Sequence, residues 1–400
     1  MLRFGQAELD EMAKVAFSGK PFRYKAGSQC ARFERRFARS LGARFVHLTS
    51  SGSTALSAAL GGLGVGPGDE VIVPAYTYMA TATAVLAVGA IPVIIDIDES
   101  LTMDPAALEA AVGPRTRAVI PVHMGGLVCD MDAIMRIARR RKLLVVEDAC
   151  QCVGGAYKGR PVGAIGHAGA FSFNFYKNMT CGEGGAISTN DESVFQRAQC
   201  MVDCCSFYWN GRPKGLKPFV AAGARASEFE GAMLNAQFDR LGGMIRTLRR
   251  MKKQVLAATA GLPLKPIPSN SLDWECATQV DYQLPTAGQA DKFAKRVKGV
   301  IPLNTGRHTY INWDPILQKR GAHHPAMDPF RMAANRGCRM DYRKDLCPRS
   351  LDILARTVMI GLHPDRTAAQ VDELIAKIRR AIRTVMTSPA ANRRRATATA

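Results

Sequence analysis

Lys177 is the residue in this sequence with the clearest potential for covalent chemistry. It lies in FSFNFYKN (171–178), after Ser172 and shortly before the glycine-rich run GEGGA (182–186). A lysine amine among small polar residues is a candidate to form a Schiff base with a carbonyl compound. A solvated surface lysine is the alternative, so the interpretation depends on which groups the fold brings to Lys177.

Asp148 is the second candidate, because it follows an apolar run that predicts a buried strand. It lies near the end of KLLVVEDAC (142–150). A carboxylate in that position is costly unless a cation or several hydrogen-bond donors meet it. The functional interpretation is a carboxylate that faces a ligand, and the alternative is an ordinary cap on the next helix.

Two further segments offer groups that bind a phosphate and a flat ring. The small-residue turn SSGST (50–54) is predicted to open a helix. Free amides at a helix N-terminus, reinforced by hydroxyls, bind phosphate. In AYTYMATA (75–82), Tyr78 opens another predicted helix and offers a flat face. An ordinary serine cap and a core tyrosine are the alternatives.

The elements that carry these residues alternate between strand and helix. The predicted strands of this series are RFVHLT (44–49), EVIVPA (70–75), IPVIIDID (91–98), RAVIPVHM (117–124), KLLVVEDAC (142–150), AGAFSFNF (168–175) and GGAISTN (184–190). Their spacing predicts an α/β fold with a mostly parallel sheet covered on both faces. Ligands collect at the strand ends of such sheets, because the loops there converge on a crevice.

Four regions follow from changes of composition along the chain. We predict a helical, basic N-terminal arm over residues 1–40 and a large domain over 41–260. A smaller α+β domain, 261–386, begins at a proline-bearing segment, and the tail 387–400 is predicted to be disordered because it lacks an apolar face. The strands predicted in the smaller domain are TQVDYQL (278–284), KGVIPLN (298–304) and RTVMIGL (356–362).

Bulk composition narrows the class of ligand. The 54 basic and 34 acidic residues leave a net charge of +20, which suits an anionic small molecule. No zinc-finger spacing or RNP-type pattern is present, so we expect neither a metal site nor nucleic-acid binding. We also expect a cytoplasmic protein without a membrane partner, because no apolar run reaches the roughly 18 residues of a bilayer span.

The eleven cysteines are expected to be reduced thiols, because their number is odd and no secretion signal is apparent. Cys150 and Cys152 are predicted to be small core residues at the end of a strand. The cluster Cys200, Cys204 and Cys205 has no role that the sequence reveals.

Taken together, these segments resemble the DegT/DnrJ/EryC1/StrS family of sugar aminotransferases, which are fold-type-I pyridoxal-phosphate enzymes. The resemblance covers roughly residues 20–385. It is strongest in GDEVIVPAYTYMATATAV (68–85), GAIPVIIDID (89–98), IPVHMGGLVCDMDAI (120–134), VVEDACQCVGGAYKGRPVG (145–163) and FSFNFYKNMTCGEGGAISTND (171–191). It implies a large domain with a mostly parallel sheet between helices, a smaller C-terminal domain, pyridoxal 5′-phosphate as cofactor and a homodimer.

The resemblance also implies a role for each matching residue. Lys177 would form the Schiff base with the cofactor, and Asp148 would pair with the pyridinium nitrogen. The remaining cofactor contacts would be Ser53, Thr54 and Ser172 at the phosphate, Gln151 near the ring hydroxyl and Tyr78 on the ring face. Family members often carry an Asn-aromatic-Arg-Met motif that reaches the partner subunit's cofactor. Gly223 begins the corresponding segment here, so that contact is in doubt, while Arg225 is retained.

The implied activity is transfer of an amino group from glutamate or glutamine to a ketosugar, forming an aminosugar for a cell-surface glycan or secondary metabolite. Arg225, Arg307, His308, His323 and His324 are the expected substrate residues, suited to a carboxylate or phosphate. A faint resemblance to the branch that aminates 3-deoxy-octulosonate at carbon 8 makes a free acid sugar an alternative acceptor. Two further candidate functions remain. One is a sugar dehydratase, although the dehydratases of this family carry histidine at the position of Lys177, and the other is a catalytically idle basic binding protein.

Overall fold

The computed structural model describes residues 4–212 and 215–387. These residues form a large sheet of seven strands and a smaller sheet of three strands. The strands are β1 (Phe45–Thr49), β2 (Glu70–Pro74), β3 (Ile91–Ile95), β4 (Thr116–Val119), β5 (Leu144–Asp148), β6 (Ala156–Tyr157), β7 (Arg160–Pro161), β8 (Ala168–Ser172), β9 (Gly185–Thr189), β10 (Lys265–Pro266), β11 (Gln279–Gln283) and β12 (Thr357–Gly361). The helices are α1 (Gln6–Phe17), α2 (Gln29–Leu41), α3 (Gly52–Gly62), α4 (Ala80–Ala87), α5 (Pro105–Ala111), α6 (Met131–Arg141), α7 (Glu192–Val202), α8 (Phe207–Asn210), α9 (Glu228–Thr259), α10 (Ala287–Val297), α11 (Asp314–Leu317), α12 (Pro348–Arg356) and α13 (Ala368–Thr387).

The large sheet has seven strands in the order β1-β9-β8-β5-β4-β2-β3. Strands β3, β2, β4, β5 and β8 pair in parallel, while β9 runs antiparallel to both of its neighbours. Every residue of β2, β3 and β8 is buried, as expected for strands covered on both faces. The α/β fold with a mostly parallel sheet is therefore confirmed, and all seven predicted strands of this series are present.

The order of the strands decides where the candidate residues meet. β5 lies between β4 and β8, with β2 beyond β4, so the carboxyl ends of β2, β5 and β8 open onto one edge of the sheet. The loops that follow β2 and β8 carry Tyr78 and Lys177, and β5 ends on Asp148. Parallel pairing thus brings together residues that are up to about a hundred positions apart in the chain.

The N-terminal residues predicted as an arm form α1 and α2, and α2 packs into the core of the large sheet. Phe33 and Phe37 are buried there against Phe171 and Phe173. The N-terminus of α2 is held by the carboxylate of Glu228 at the start of α9. This carboxylate accepts hydrogen bonds from the Ser28 hydroxyl and from the amides of Gln29 and Cys30.

The smaller sheet has the order β10-β11-β12 and packs with α10, α13 and the last turns of α9 around a separate core. Two of its predicted strands are confirmed as β11 and β12. The third, KGVIPLN, is wrong: Val300 forms an isolated bridge with Met359, and the chain then turns into a 3-10 helix at Pro302–Asn304. Pro302 cannot donate a backbone hydrogen bond to a sheet, which explains the early end of pairing.

The segment after this 3-10 helix leaves the smaller core. Tyr310, Trp313 and Ile316 are buried with residues of β2, α3 and α4 in the core of the large sheet. The four predicted region boundaries remain predictions, and residues 388–400 of the predicted tail lie outside the described residues. No helix in the described ranges is both long and apolar enough to cross a bilayer.

Candidate active site

A cavity of about 640 Å³ opens at the carboxyl edge of the large sheet. It is lined by residues that follow β1, β2, β4, β5 and β8, by Thr278 just before β11, and by two residues of the later segment that packs on the large core. Eight of the predicted site residues line this one cavity: Ser53, Tyr78, Asp148, Gln151, Ser172, Lys177, Arg307 and His308.

Lys177 is held by a tight loop between β8 and β9. Its amide donates to the Asn174 carbonyl at 2.9 Å, and Asn174 Nδ2 donates to Glu183 Oε1 at 2.7 Å across the loop. The loop closes through Gly182 and Gly184, both with positive φ, a conformation that favours glycine. Within the described ranges the Lys177 amine has no ion-pair partner, so it is available to a ligand.

Asp148 is the last residue of β5 and is 4% exposed. Its Oδ2 accepts from Thr81 Oγ1 at 2.7 Å, and its Oδ1 accepts from the Cys150 amide at 3.1 Å. Thr77 Oγ1 lies 2.6 Å from Thr81 Oγ1, which extends the chain of hydroxyls. Each carboxylate oxygen has about two lone-pair sites, so Asp148 keeps capacity for a donor in the cavity.

A cradle for an anion lies between the start of α3 and the end of β8. Ser51 caps α3 by accepting the Thr54 amide at 3.1 Å, which leaves the earlier amides of Gly52 and Ser53 without an intrahelical acceptor. A Cβ on Gly52 would come within 2.8 Å of the Ser172 Cβ and 2.9 Å of the Cys150 Sγ. Only glycine allows this approach, and it places the helix N-terminus beside the Ser172 hydroxyl.

Thr54 does not line the cavity. Its hydroxyl lies 3.0 Å from Ser51 Oγ, so it contacts the cradle through the capping serine. Cys150, predicted to be a core residue, does line the cavity, whereas Cys152 is buried in the core as predicted. Burial, with the negative charge of Asp148, raises the pKa of the Cys150 thiol well above its usual range. This thiol therefore does not compete with Lys177 as a nucleophile at neutral pH.

Gln151 is oriented by a glycine of the loop after β4. Its Oε1 accepts from the Gly125 amide at 3.1 Å, and the Gly125 carbonyl accepts from Thr278 Oγ1 at 2.6 Å. Thr278 directly precedes β11, so the smaller sheet supports the residue that faces the cavity. The sequence offered no signal for Gly125 or Thr278, because their contact joins loops about 150 residues apart.

Tyr78 and two residues of the later segment form one side of the cavity. The Arg307 guanidinium lies over the Tyr78 ring, 5.5 Å from its centroid, and the His308 ring centroid lies 5.6 Å from that of Tyr78. Burial lowers the pKa of His308, with the positive charges of Arg307 and Lys177 reinforcing the shift and the hydrogen bond to the Thr305 carbonyl opposing it. His308 is therefore neutral at pH 7.

The remaining predicted substrate residues lie outside the lining. Arg225 forms an ion pair with Asp203 at 3.0 Å, and its backbone bridges Thr49 beside the cradle. His323 and His324 are exposed at a 3-10 turn, where His324 Nδ1 accepts the Ala326 amide. Gly223 is exposed and has open space around it. Among the described residues there is also no cluster of three metal-ligating side chains.

Residues 4–303 match the DegT/DnrJ/EryC1/StrS aminotransferase family. The chain belongs to this family. Among curated relatives, the chain is 39% identical over 242 residues to a GDP-perosamine synthase of Caulobacter vibrioides, covering 58% of this chain and 63% of that protein. It is 38% identical over 271 residues to a dTDP-3-amino-3,4,6-trideoxy-alpha-D-glucose transaminase of Streptomyces venezuelae, covering 67% of this chain and 69% of that one.

Solved structures extend the likeness of this family member over nearly the whole chain. An aminotransferase from Psychrobacter cryohalolentis superposes with a TM-score of 0.79 at 26% identity, covering 96% of this chain and 98% of that one. The resemblance stated from the sequence motifs is therefore confirmed, as is the aminotransferase-like fold.

Proposed function

We propose that this protein is a pyridoxal-phosphate-dependent aminotransferase that moves an amino group from glutamate or glutamine to a ketosugar. The observation that carries the proposal is the shared cavity of Lys177, Asp148 and the Gly52–Ser172 cradle. Family membership and relatives named as aminosugar-forming enzymes support it.

The residues fit the cofactor on structural grounds. The Gly52 backbone approaches Ser172 so closely that a Cβ could not be accommodated, which is the geometry of a phosphate cradle. Asp148 is buried, keeps hydrogen-bonding capacity and lines the same cavity as Lys177. Ser53 and Ser172 would hold the phosphate with the first amides of α3, Gln151 would bind the ring hydroxyl, and Tyr78 would cover the ring.

When bound, pyridoxal phosphate supplies an aldehyde that condenses with amines and a ring that delocalises electron density. Asp148 would keep a proton on the ring nitrogen, because a buried carboxylate favours the charged form of a partner in contact with it. The Lys177 amine, once displaced by the amino donor, would act as the base that moves the substrate's α proton. Positioned proton transfer of this kind contributes on the order of a hundred- to ten-thousand-fold in rate.

A lysine at position 177 favours the aminotransferase over the dehydratase, because the family's dehydratases carry histidine there. A panel of aminosugars tests whether the acceptor is nucleotide-linked or a free acid sugar such as 8-keto-3-deoxy-octulosonate. Each aminosugar is used as amino donor in the reverse direction. The aminosugar panel consists of GDP-perosamine, dTDP-3-amino-3,4,6-trideoxy-alpha-D-glucose and 8-amino-3,8-dideoxy-octulosonate.

A cytoplasmic homodimer is part of the proposal. Tyr176 lines the cavity yet is 81% exposed, so a second copy of the chain would cover an aromatic side chain at the cavity mouth. Arg225 lies beside the cradle on the same stretch as the exposed Gly223 and is placed to contact such a partner. All eleven cysteines are free thiols, as is usual for a reducing compartment.

The decisive experiment is the visible spectrum of the protein incubated with pyridoxal phosphate. We expect a yellow protein whose band bleaches with glutamate, and borohydride treatment should link the cofactor covalently to the peptide that contains Lys177. Lys177→Ala should abolish turnover, while Lys158→Ala, an exposed lysine outside the cavity, should leave both the band and turnover unchanged. A protein that stays colourless would favour the idle binding protein.

A further inference from the structure

His308 is fixed beside Tyr78 by backbone pairing. The Thr77 amide donates to the His308 carbonyl at 2.9 Å, and the Met79 amide donates to the Arg307 carbonyl at 3.0 Å. Tyr310 continues the pairing by donating to the Ala75 carbonyl at 3.1 Å. The backbone that carries the imidazole is therefore fixed at the cavity before any substrate arrives, as specific recognition requires.

The hydrogen bonds of the ring decide which nitrogen carries the proton. His308 Nδ1 lies 3.3 Å from the Thr305 carbonyl oxygen, which accepts only, so Nδ1 is protonated. In the neutral imidazole Nε2 then bears a lone pair and is a hydrogen-bond acceptor. Within the described residues Nε2 has no hydrogen-bonding partner, although the ring lines the cavity that holds Lys177.

A neutral acceptor discriminates between the two substrates of the proposed reaction. When glutamate is the amino donor, its carboxylates accept hydrogen bonds and cannot donate to Nε2, and its amino group is the group that reacts. Every sugar hydroxyl, by contrast, can donate to Nε2. Arg307 supplies the positive charge that a carboxylate or phosphate needs. A neutral acceptor therefore matches a sugar hydroxyl and does not match the anion that the sequence led us to expect at His308.

We propose that His308 is a specificity residue for the sugar, whose Nε2 accepts a hydrogen bond from a hydroxyl near the reacting carbon. This inference rests on the proposed function, and it assigns recognition of the sugar to the segment that joins the smaller sheet to the large core. Thr305 is the positioning residue that holds the imidazole in the required tautomer.

Two substitutions separate the acceptor from the anchoring contact. His308→Asn keeps an amide that can donate to Thr305 but lacks an acceptor at the Nε2 position, whereas His308→Gln extends a polar end to that position. His363→Asn is the matched control, because His363 lies outside the cavity. The readout is the ratio of kcat/KM for the best-accepted member of the aminosugar panel to kcat/KM for glutamate, each followed as bleaching of the visible band.

We expect His308→Asn to lower this ratio about 10- to 100-fold, the effect of one specific hydrogen bond in a cavity, and His308→Gln to recover most of it. Equal losses with glutamate and the aminosugar, or an unchanged ratio, would overturn the inference. Failure of the wild-type protein to bind pyridoxal phosphate would instead count against the proposed function.

A second readout does not depend on turnover. Nitrogen-15 NMR of histidine-labelled protein, assigned by the signal missing in His308→Asn, reports the protonated ring nitrogen. A neutral imidazole at pH 7 with its proton on Nδ1 supports the inference. An imidazolium, or a proton on Nε2, contradicts it whatever the kinetics show.

Discussion

Asp148 and Thr81 are joined by a hydrogen bond of 2.7 Å from the threonine hydroxyl to carboxylate Oδ2, which ties the end of β5 to the first turn of α4. Thr81 is fully buried, and its hydroxyl also contacts that of Thr77. The position of the candidate cofactor acid is thereby coupled to the helix that begins just after Tyr78.

Removing the Thr81 hydroxyl should weaken cofactor binding. Thr81→Val keeps the shape of the side chain but leaves Asp148 with one protein donor fewer. We expect the loss of this hydrogen bond to weaken the binding free energy of pyridoxal phosphate by about 1 kcal/mol. This corresponds to roughly a fivefold rise in its Kd in an absorbance titration. Thr81→Ser retains the hydroxyl and should bind within about twofold of wild type. A Kd unaffected by Thr81→Val would show that the contact does not position Asp148.

Gly52→Ala should disrupt the anion cradle, because the added methyl meets Ser172 and Cys150 below 3 Å. The backbone of α3 or of β8 must shift, at a cost of about 1–3 kcal/mol of folding stability. Cofactor affinity should fall in parallel. Gly243→Ala is the control, on an exposed face of α9 where the nearest atom to the new methyl lies 3.9 Å away, and it should leave Tm unchanged or slightly raised. Thermal denaturation with and without pyridoxal phosphate measures both effects.

Glu147 faces away from the cavity, on the opposite side of β5 from Asp148. Its carboxylate is fully buried and accepts hydrogen bonds from the amides of Gly163, Ile165 and Gly166. The Nδ1 atom of His123 accepts a hydrogen bond from the Cys129 amide. The proton of that imidazole is therefore on Nε2, which donates to Glu147. Glu147→Gln would turn an amide group towards one of these donors. We expect a loss of about 2–4 kcal/mol in the free energy of unfolding.

Glu109→Gln is the matched control for that prediction. Glu109 pairs with Arg140 and Arg141 on the surface, where ion pairs contribute about 0–1 kcal/mol. Chemical denaturation should therefore show a much larger loss in the free energy of unfolding for Glu147→Gln than for Glu109→Gln. Similar midpoints for both would argue that the buried carboxylate is replaceable.

Asp281 should make the stability of the protein fall with rising pH. Burial raises its pKa to about 7, with Lys252 opposing and Glu275 reinforcing the shift, and Oδ2 is buried without a hydrogen-bonding partner among the described residues. Between about pH 4 and pH 7 the unfolded chain releases this proton while the folded chain retains it. The folded state binds more protons there, so the free energy of unfolding decreases, by on the order of 4 kcal/mol in total.

Asp281→Asn should abolish that part of the pH dependence and raise the Tm at pH 8 more than at pH 5. Asp291→Asn, an exposed carboxylate on α10, is the control and should preserve the wild-type slope. Calorimetry or circular dichroism across about pH 4–8 measures the slope. A wild-type stability that rises over this window relative to Asp281→Asn would contradict the assignment.

Local patterns predicted the large sheet and the strand ends that carry part of the site. The alternation of strand and helix segments, separated by turn residues, predicted the large sheet. This was possible because the hydrophobic pattern of a strand or helix depends only on residues that are close in sequence. Ser53, Asp148 and Lys177 follow or end strands that the pattern locates, and parallel strands must present their ends at one edge. KGVIPLN does not form the predicted strand, because Pro302 lacks the backbone donor that continued pairing needs.

Long-range packing decided the rest. His308 and His324 are both histidines in one loop-rich segment, yet only His308 lines the cavity, since its backbone pairs with the chain beside Tyr78. Thr81 and Gly125 gave no sequence signal, because a threonine or glycine acquires its role only when another element arrives within hydrogen-bonding distance. Residue types and spacing thus determined which chemistry the chain can carry. Tertiary contacts decided which side chains orient the reacting groups, because these contacts depend on distances between segments that sequence order does not encode.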